Sequence, residues 1–543
     1  MRYPKILWLF ALCVWPGFVD AAEVKPLSVS SQVERWGLFE LALSGPTEGN
    51  PFVDVRLTGV FTNGQETIEV PGFYDGAGVY RIRFMPSHAG VWRYTTRSNR
   101  WPLTHQSGAF EATAATGKNH GPVRVHNTYH FAYADGTPFW QIGTTCYSWT
   151  HRPAEIEEQT LKTLAGAPFN KLRMCVFPQT HGSDFMPPTR WPFEGTPPKQ
   201  WDYSRFSPEF FQHLEQRIGQ LRDLGIECDL ILFHPYGPEW GFDAMDAATD
   251  DRYLRYVVAR LGAYRNIWWS IANEYDFVRT KTTADWDRDF QTVEQADPYH
   301  HLRSIHNGDV FYDHNKPWVT HVSVQKGPAL EEPGRAELLR EVYRKPIVFD
   351  EVRYEGDHEM RWANLSGREM VHRFWVATVA GTYAGHSEYF QAPHDVVWLG
   401  QGGLLKGESP ARLAFLRKIL EEAPPGGLDQ IDHWQEARPP AAGRPGKYYL
   451  IYFGRTTPNE WTFQLYKNGL TDGMEFAVEV IDTWAMTITP VPGVFVTKKK
   501  DRYDYVDRDG RSVTLPAKPG VALRVRWVGG VPAQPDASVL AIP

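Results

Sequence analysis

Between residues 122 and 422 the chain repeats one pattern, a short and almost wholly apolar run followed by a longer amphipathic segment. FWQIGTTCY (Phe139 to Tyr147) leads into EIEEQTLKTLA. FNKLRMCVF (Phe169 to Phe177) leads, through a proline-rich insertion from Pro178 to Ser207, into PEFFQHLEQRIGQLRDLG. ECDLILFHP (Glu227 to Pro235) precedes DDRYLRYVVARLGAY, and NIWWSIANEY (Asn266 to Tyr275) precedes ADWDRDFQTVEQA. LRSIHNG, VTHVSVQ before RAELLREVYRK, PIVFDEV before REMVHRFWVATVAG, and GTYAGHSEYF complete the series. Strands apolar on both faces must be covered on both faces, and helices interposed between them impose parallel pairing. Eight such units predict an α/β fold, a closed (β/α)8 barrel rather than an open sheet. The unit between Leu302 and Val319 is too short for a full helix, so the fifth repeat is the weakest.

The flanks have a different texture. From residue 23 to 115 short alternating runs such as VDVRLTGVF and VYRIRFMP are broken by turns at Asn63-Gly64 and Asp75 to Gly78, which predicts a β-sandwich. ATGKNHG (115–121) reads as a linker. After Pro424-Pro425-Gly426-Gly427, a boundary signal, alternating strands from KYYLIYFG to VALRVRWV predict a second β-sandwich over 430–543. At the N-terminus Arg2 and Lys5, the apolar run Ile6 to Val14 and the small residues Ala21-Ala22 read as a secretory leader over 1–22, so the chain is expected to be exported, to periplasm or beyond. No later segment is apolar for long enough to span a membrane.

Lys+Arg 57 against Asp+Glu 64 gives a net charge of -7 with no basic block, which argues against nucleic acid as a partner. Beyond the leader, Cys146, Cys175 and Cys228 are odd in number and sit in apolar runs, as buried thiols rather than a disulfide framework or metal site. Aromatic residues make up 14% of the chain, enough for rings to stack on sugar faces as well as to fill cores.

Active sites of parallel barrels lie at the C-terminal ends of the strands, so polar residues that close an apolar run are candidates. IWWSIANEYDF puts Asn273 and Glu274 at the end of the fourth strand; PIVFDEVRYEG puts Asp350 and Glu351 at the end of the seventh. Carboxyls from these two strands can face one another at roughly 5 Å, the separation that suits retaining glycoside hydrolysis. Asp350 competes with Glu351, because neighbouring residues of a regular strand point to opposite sides. Glu355 and Glu388 are fallback acids. His234, which ends the third strand, and His181, His306 and His386 are candidate substrate contacts, as are Trp149, Trp240 and Trp398, expected in loops at the mouth. Trp191 and Trp201 in the insertion are weaker candidates.

With Asn-Glu after strand four and Glu after strand seven, the sequence resembles the clan of retaining (β/α)8 glycoside hydrolases. Residues GVYRIRFMPSHAGVWRYTT, HFAYADGTPFWQIGTTCYSW and VIDTWAMTI resemble, over nearly the whole mature chain, a bacterial group of such enzymes with an N-terminal immunoglobulin-like domain and a C-terminal sandwich, distantly similar to apiosidase-like barrels. The resemblance implies Glu274 as acid/base, Glu351 as nucleophile, Asn273 as partner of a sugar 2-hydroxyl and Arg173 as the arginine below the nucleophile. It implies a poly- or oligosaccharide substrate and no cofactor. Several clan families have a His-x-Tyr element after strand six; here that end reads Thr320-His321-Val322-Ser323-Val324-Gln325. The residue supporting Glu351 is therefore Gln325, His321 or His306. A metal-dependent barrel would commonly need a His-x-His pair on the first strand, and FWQIGTTCY has none. A non-catalytic sugar-binding or adhesion protein is the other alternative.

Overall fold

The structure is a computed structural model describing residues 29–179, 187–325, 327–331, 334–391, 396–431 and 438–532. The predicted leader and His181 lie outside the described residues. At the centre stand eight parallel strands: β1 (Gly143–Thr145), β2 (Lys171–Cys175), β3 (Glu227–Phe233), β4 (Ile267–Ala272), β5 (Arg303–Ser304), β6 (Val322–Gln325), β7 (Ile347–Glu351) and β8 (Tyr383–His386). They pair in the order β5-β4-β3-β2-β1-β8-β7-β6, and a further parallel bridge from His306 to Ser323 joins the two ends. Helices α1 (Ala154–Gly166), α2 (Pro208–Leu224), α3 (Ala247–Leu261), α4 (Thr283–Ala296), α5 (Gly334–Tyr343), α6 (Gly367–Val379) and α7 (Ser409–Glu421) follow every strand but β5. Between β5 and β6 the described residues hold no helix, as the short fifth repeat implied.

Local chemistry sets these boundaries. Ser207 caps α2 through the Phe210 amide, Pro208 supplies a pre-set φ at its first turn, and Gly225 ends it at φ 80°. Along the strands the apolar runs split by parity. Leu172, Met174 and Trp269 face the helices, whereas Lys171, Arg173 and Trp268 face inward. The hairpin Val123–His126 with His130–Tyr133 underlies the barrel, where Phe131, Phe139, Trp268 and Tyr383, with Val348, form a largely aromatic floor.

One irregularity decides what the mouth presents. Between β6 and β7, Ser323 pairs with Val348 but Gln325 pairs with Glu351, so two steps on β6 match three on β7. The extra residue is a β-bulge, and it corrects the expectation that Asp350 and Glu351 exclude one another: both side chains turn inward. Bulged backbone needs room on the other side. On β8 a Cβ at Gly385 would meet the Asp350 carbonyl oxygen at 2.4 Å, so only glycine fits there.

Both flanking regions are antiparallel sheets seated on the barrel. N-terminally, Val29–Glu34, Ser107–Thr113, Gly90–Ser98, Leu57–Thr62 and Thr67–Pro71 form one sheet and Phe39–Ser44, Val79–Phe84 and Phe73–Tyr74 another, with Phe61, Phe84, Trp92 and Phe110 between them. One departure is that Val29–Glu34 runs parallel to its neighbour. Arg260 of α3, fully buried, ties this domain down through Asp75 (2.7 Å) and Glu215, which also holds Arg83 (2.7 Å). C-terminally, Tyr448–Tyr452, Val521–Gly530 and Met474–Asp482 lie at the centre of a larger sheet. Here YYLIY is buried throughout because Tyr448, Leu450 and Tyr452 pack on the barrel while Tyr449 and Ile451 fill the domain's own core.

Replacing Arg260 by Met leaves the buried Asp75 with Arg81 and Gln212 and leaves Glu215 with Arg83, so each acid loses one of its cations, a change that costs on the order of 2 kcal/mol. Calorimetry is expected to show a melting temperature lowered by several degrees; an unchanged value would show that this pairing does not anchor the N-terminal domain.

Candidate active site

Four charged side chains occupy the middle of the barrel, where most parallel barrels pack aliphatic ones. Lys171 Nζ, 1% exposed, lies 2.7 Å from Asp229 Oδ2 and 2.6 Å from Asp350 Oδ1. Burial works against its charge, but the two aspartates hold its pKa above the ordinary lysine value. Asp350 is pulled the opposite way: although burial opposes ionisation, Lys171 and Arg173 keep it well below the usual carboxylate range. Arg173, one layer higher, is 3.6 Å from Asp229, 3.9 Å from Asp350 and 3.6 Å from Glu351.

Above this layer sit the two glutamates. Glu274 follows β4 in a left-handed conformation, φ 45°, and is 5% exposed. A non-glycine residue held there is a local strain of the kind that collects at functional sites. Glu351 ends β7 past the bulge. One side-chain amide joins them: Gln325 Nε2 donates to Glu274 Oε1 at 2.6 Å and to Glu351 Oε2 at 2.7 Å. Those two distances cap the separation of the bridged oxygens at about 5.3 Å, within the reach of paired carboxyls in glycosidase sites.

Burial pushes both carboxyls up to about 7. Their surroundings differ, however. Glu351 Oε1 accepts the Tyr147 hydroxyl and faces Arg173, and the Tyr354 hydroxyl also bonds this carboxyl, a set that favours the anion. Among the described residues Glu274 accepts a hydrogen bond only from Gln325, and its Oε2 is buried without a partner. Beside it the Asn273 amide is 1% exposed with neither nitrogen nor oxygen bonded among the described residues. Unmet polar groups buried at a mouth are what a polar ligand would satisfy.

Of the predicted site residues, Glu274, Glu351, Asn273, Arg173, Gln325 and His306 come together here. Others do not. His321 lies in the floor, edge-on to Phe131 and Trp268, because it precedes β6 rather than closing it. His386 faces the outer wall, stacked on Phe169 at 4.8 Å with Nδ1 on Thr144 Oγ1, since strand parity places Tyr383 inside. His234 has both nitrogens engaged by backbone, Nε2 with the Phe177 carbonyl at 3.1 Å and Nδ1 with the Tyr236 amide at 3.1 Å, so it braces two loops.

The tryptophans are also corrected. Trp149 is fully buried against Met174, and Trp398 donates to Thr144 Oγ1 from within the core, so neither offers a face to a sugar. Trp240 is 8% exposed and packs on Trp191, which packs on Trp201, making the insertion's aromatics a cluster of their own. An exposed ring does lie beside a site residue: Trp362, 39% exposed, is edge-on to Tyr354 at 5.7 Å. Tyr147, Tyr354 and Trp362 escaped the sequence reading. Tyr147 closes the first apolar run and Tyr354 stands three residues after Glu351; both positions were marked by the rule used to find the glutamates.

Glu355, His386 and Glu388 gather possible ligand atoms within 4.8 Å of one another. Their carboxylate oxygens, however, accept the successive backbone amides of Lys406, Gly407, Glu408 and Ser409 at the start of α7. Converging N–H dipoles at a helix start suit anions, so these two carboxylates anchor the loop before α7.

Comparisons with known proteins bear on the family and the fold. Residues 125–390 match the family described as "Apiosidase-like, catalytic domain", 32–99 match the domain of unknown function DUF5060, and 434–526 match DUF5605. A provisionally assigned glycoside hydrolase from Bacteroides vulgatus ATCC 8482 is 43% identical over 92% of this chain and all of its own, with a TM-score of 0.88. A glycoside hydrolase family 5 structure from the same organism, at 15% identity, 77% and 97% coverage and a TM-score of 0.55, shares the fold. None of the curated proteins compared matches the chain. The chain belongs to the apiosidase-like family, in the form flanked by DUF5060 and DUF5605 domains. Its barrel is glycoside-hydrolase-like.

The raised pKa of Glu274 has a consequence for stability. A carboxyl whose folded pKa lies above its unfolded value stabilises the protein fully below about pH 4.5, and that contribution is lost as pH rises through about 7. Glu274→Gln is therefore expected to stabilise the protein at pH 8 by on the order of 2 kcal/mol relative to wild type, read as a raised melting temperature, and much less at pH 4.5. A difference equal at both pH values would contradict the buried, protonated state.

Proposed function

We propose that the protein is an exported, retaining glycoside hydrolase acting on a plant or algal polysaccharide or its oligosaccharides. The observation that carries this reading is the single Gln325 amide holding Glu274 and Glu351 on facing strands, with about 5.3 Å as the limit between the bridged oxygens. Inverting catalysis needs carboxyls about 6.5–9.5 Å apart to admit a water, whereas direct attack needs about 5–5.5 Å.

In this reading Glu351, supported by Tyr147, Tyr354 and Arg173, attacks the anomeric carbon, and Glu274 delivers its proton to the departing oxygen. A glycosyl ester on Glu351 results. Glu274, now ionised, takes a proton from water, which cleaves the ester and regenerates both groups. Asn273, whose amide has no partner among the described residues, meets the sugar hydroxyl next to the reacting carbon. Export follows from the leader at residues 1–22, and the carbohydrate substrate from the family and its structural relatives.

On a panel of aryl glycosides and plant and algal glycans, Glu274→Gln is expected to lower turnover about 10²–10⁴-fold, least for substrates with acidic leaving groups. Glu351→Gly should be inactive and regain turnover with azide, yielding a glycosyl azide of inverted configuration. Unchanged turnover in both variants would end this assignment. Trp362→Ala is expected to raise KM about tenfold with little change in kcat, since one stacking platform is worth about 1 kcal/mol; equal KM values would remove Trp362 from the substrate path.

A further inference from the structure

Below Glu351 runs a chain of hydrogen bonds in which each proton has one place to go. Lys171 Nζ, which only donates, gives one bond to Asp350 Oδ1 at 2.6 Å. Asp350, ionised by its neighbours, only accepts; its Oδ2 takes the Ser323 hydroxyl at 2.5 Å. Ser323 has one proton and has spent it there, so towards His306 Nδ1, at 3.0 Å, its oxygen can only accept. His306 must then carry its proton on Nδ1. It is fully buried and held neutral by burial and by Arg173, which leaves Nε2 a bare lone pair. That atom has no hydrogen-bond partner among the described residues and stands 3.7 Å from Glu351 Oε1.

We propose that Lys171, Asp350 and Ser323 lock His306 in the Nδ1–H tautomer, making His306 a positioning residue that turns a lone pair, and not a donor, towards Glu351. The consequence concerns the nucleophile, so the functional part rests on the reading of Glu351 given above. Facing Glu351 are Tyr147 after β1, Arg173 of β2, Glu274 after β4, Gln325 of β6, His306 after β5 and Tyr354 after β7. Facing His306 are Arg173, Asp350, Lys171 and His314. Tyr147, Tyr354, Gln325 and Arg173 favour the anion of Glu351; the His306 lone pair opposes it. An N–H at Nε2 would over-stabilise the carboxylate and blunt its attack, because a less basic carboxylate is a weaker nucleophile. The relay thus keeps Glu351 basic while its other partners keep it oriented.

The direct test needs no substrate. In protein labelled with ¹⁵N-histidine, with His306→Asn as the assignment control, the His306 resonances are expected to show a protonated Nδ1 and an unprotonated Nε2. A protonated Nε2 in the wild type would overturn the proposal. In protein labelled with ¹³C at glutamate carboxyls, with Glu351→Gln as control, Ser323→Ala should move the titration of Glu351 down by about one pH unit, as expected for one added hydrogen bond, and Ser323→Thr should restore it. A Ser323→Ala variant with a lower melting temperature but an unmoved Glu351 titration would mark the relay as structural only and overturn its effect on the nucleophile. If Ser323→Ala does not fold, the wild-type tautomer still decides. Failure to cleave any glycan would count against the hydrolase reading without touching the tautomer result.

Discussion

The barrel depends on one ammonium group. Lys171 is buried between Asp229 and Asp350, and removing it alone would leave two buried acids with only the more distant Arg173, because breaking a buried ion pair leaves charge uncompensated at a cost of about 3–5 kcal/mol. An apolar layer of similar volume would have been no less stable. What the charges add is orientation: Lys171 fixes Asp350, Asp350 fixes Ser323, and Arg173 sits across all three acids below the mouth. The site is therefore aligned from beneath, by a core that is itself polar.

Much of this was legible in the sequence for physical reasons. Apolar runs such as LRMCVF and IWWSIA can exist only where both faces are covered, so the barrel followed from patterning, and the short fifth repeat correctly foreshadowed a crossover without a helix. Glu274 and Glu351 were marked because ionisable groups at the end of an apolar strand have to face the mouth. Side-chain direction was less accessible. His386 and His321 were placed by proximity to strand ends, whereas parity sends one outward and position before the strand sends the other into the floor. Trp149 and Trp398 lie in connecting segments, yet those segments fold under neighbouring loops and bury their rings. Such depth depends on how loops stack, which no local pattern encodes.

The flanking domains illustrate the same division. Alternation predicted their strands, but the uninterrupted YYLIY segment resolves only when the barrel is present to receive one of its faces. Likewise Arg260 reads as an ordinary helix arginine until Asp75 and Glu215 converge on it from two domains. The three units thus complete one another's surfaces.

The single extra residue in β7 makes backbone length itself a functional variable. Asp350 belongs to the scaffold and Glu351 to the mouth, and the bulge lets adjacent positions serve both. Deleting one residue from this strand, or adding one, would exchange their destinations while leaving composition and hydrophobicity nearly unchanged. Among related chains, spacing between the seventh-strand acids and the glycine opposite them is then a stricter criterion of an intact centre than the presence of the acids alone.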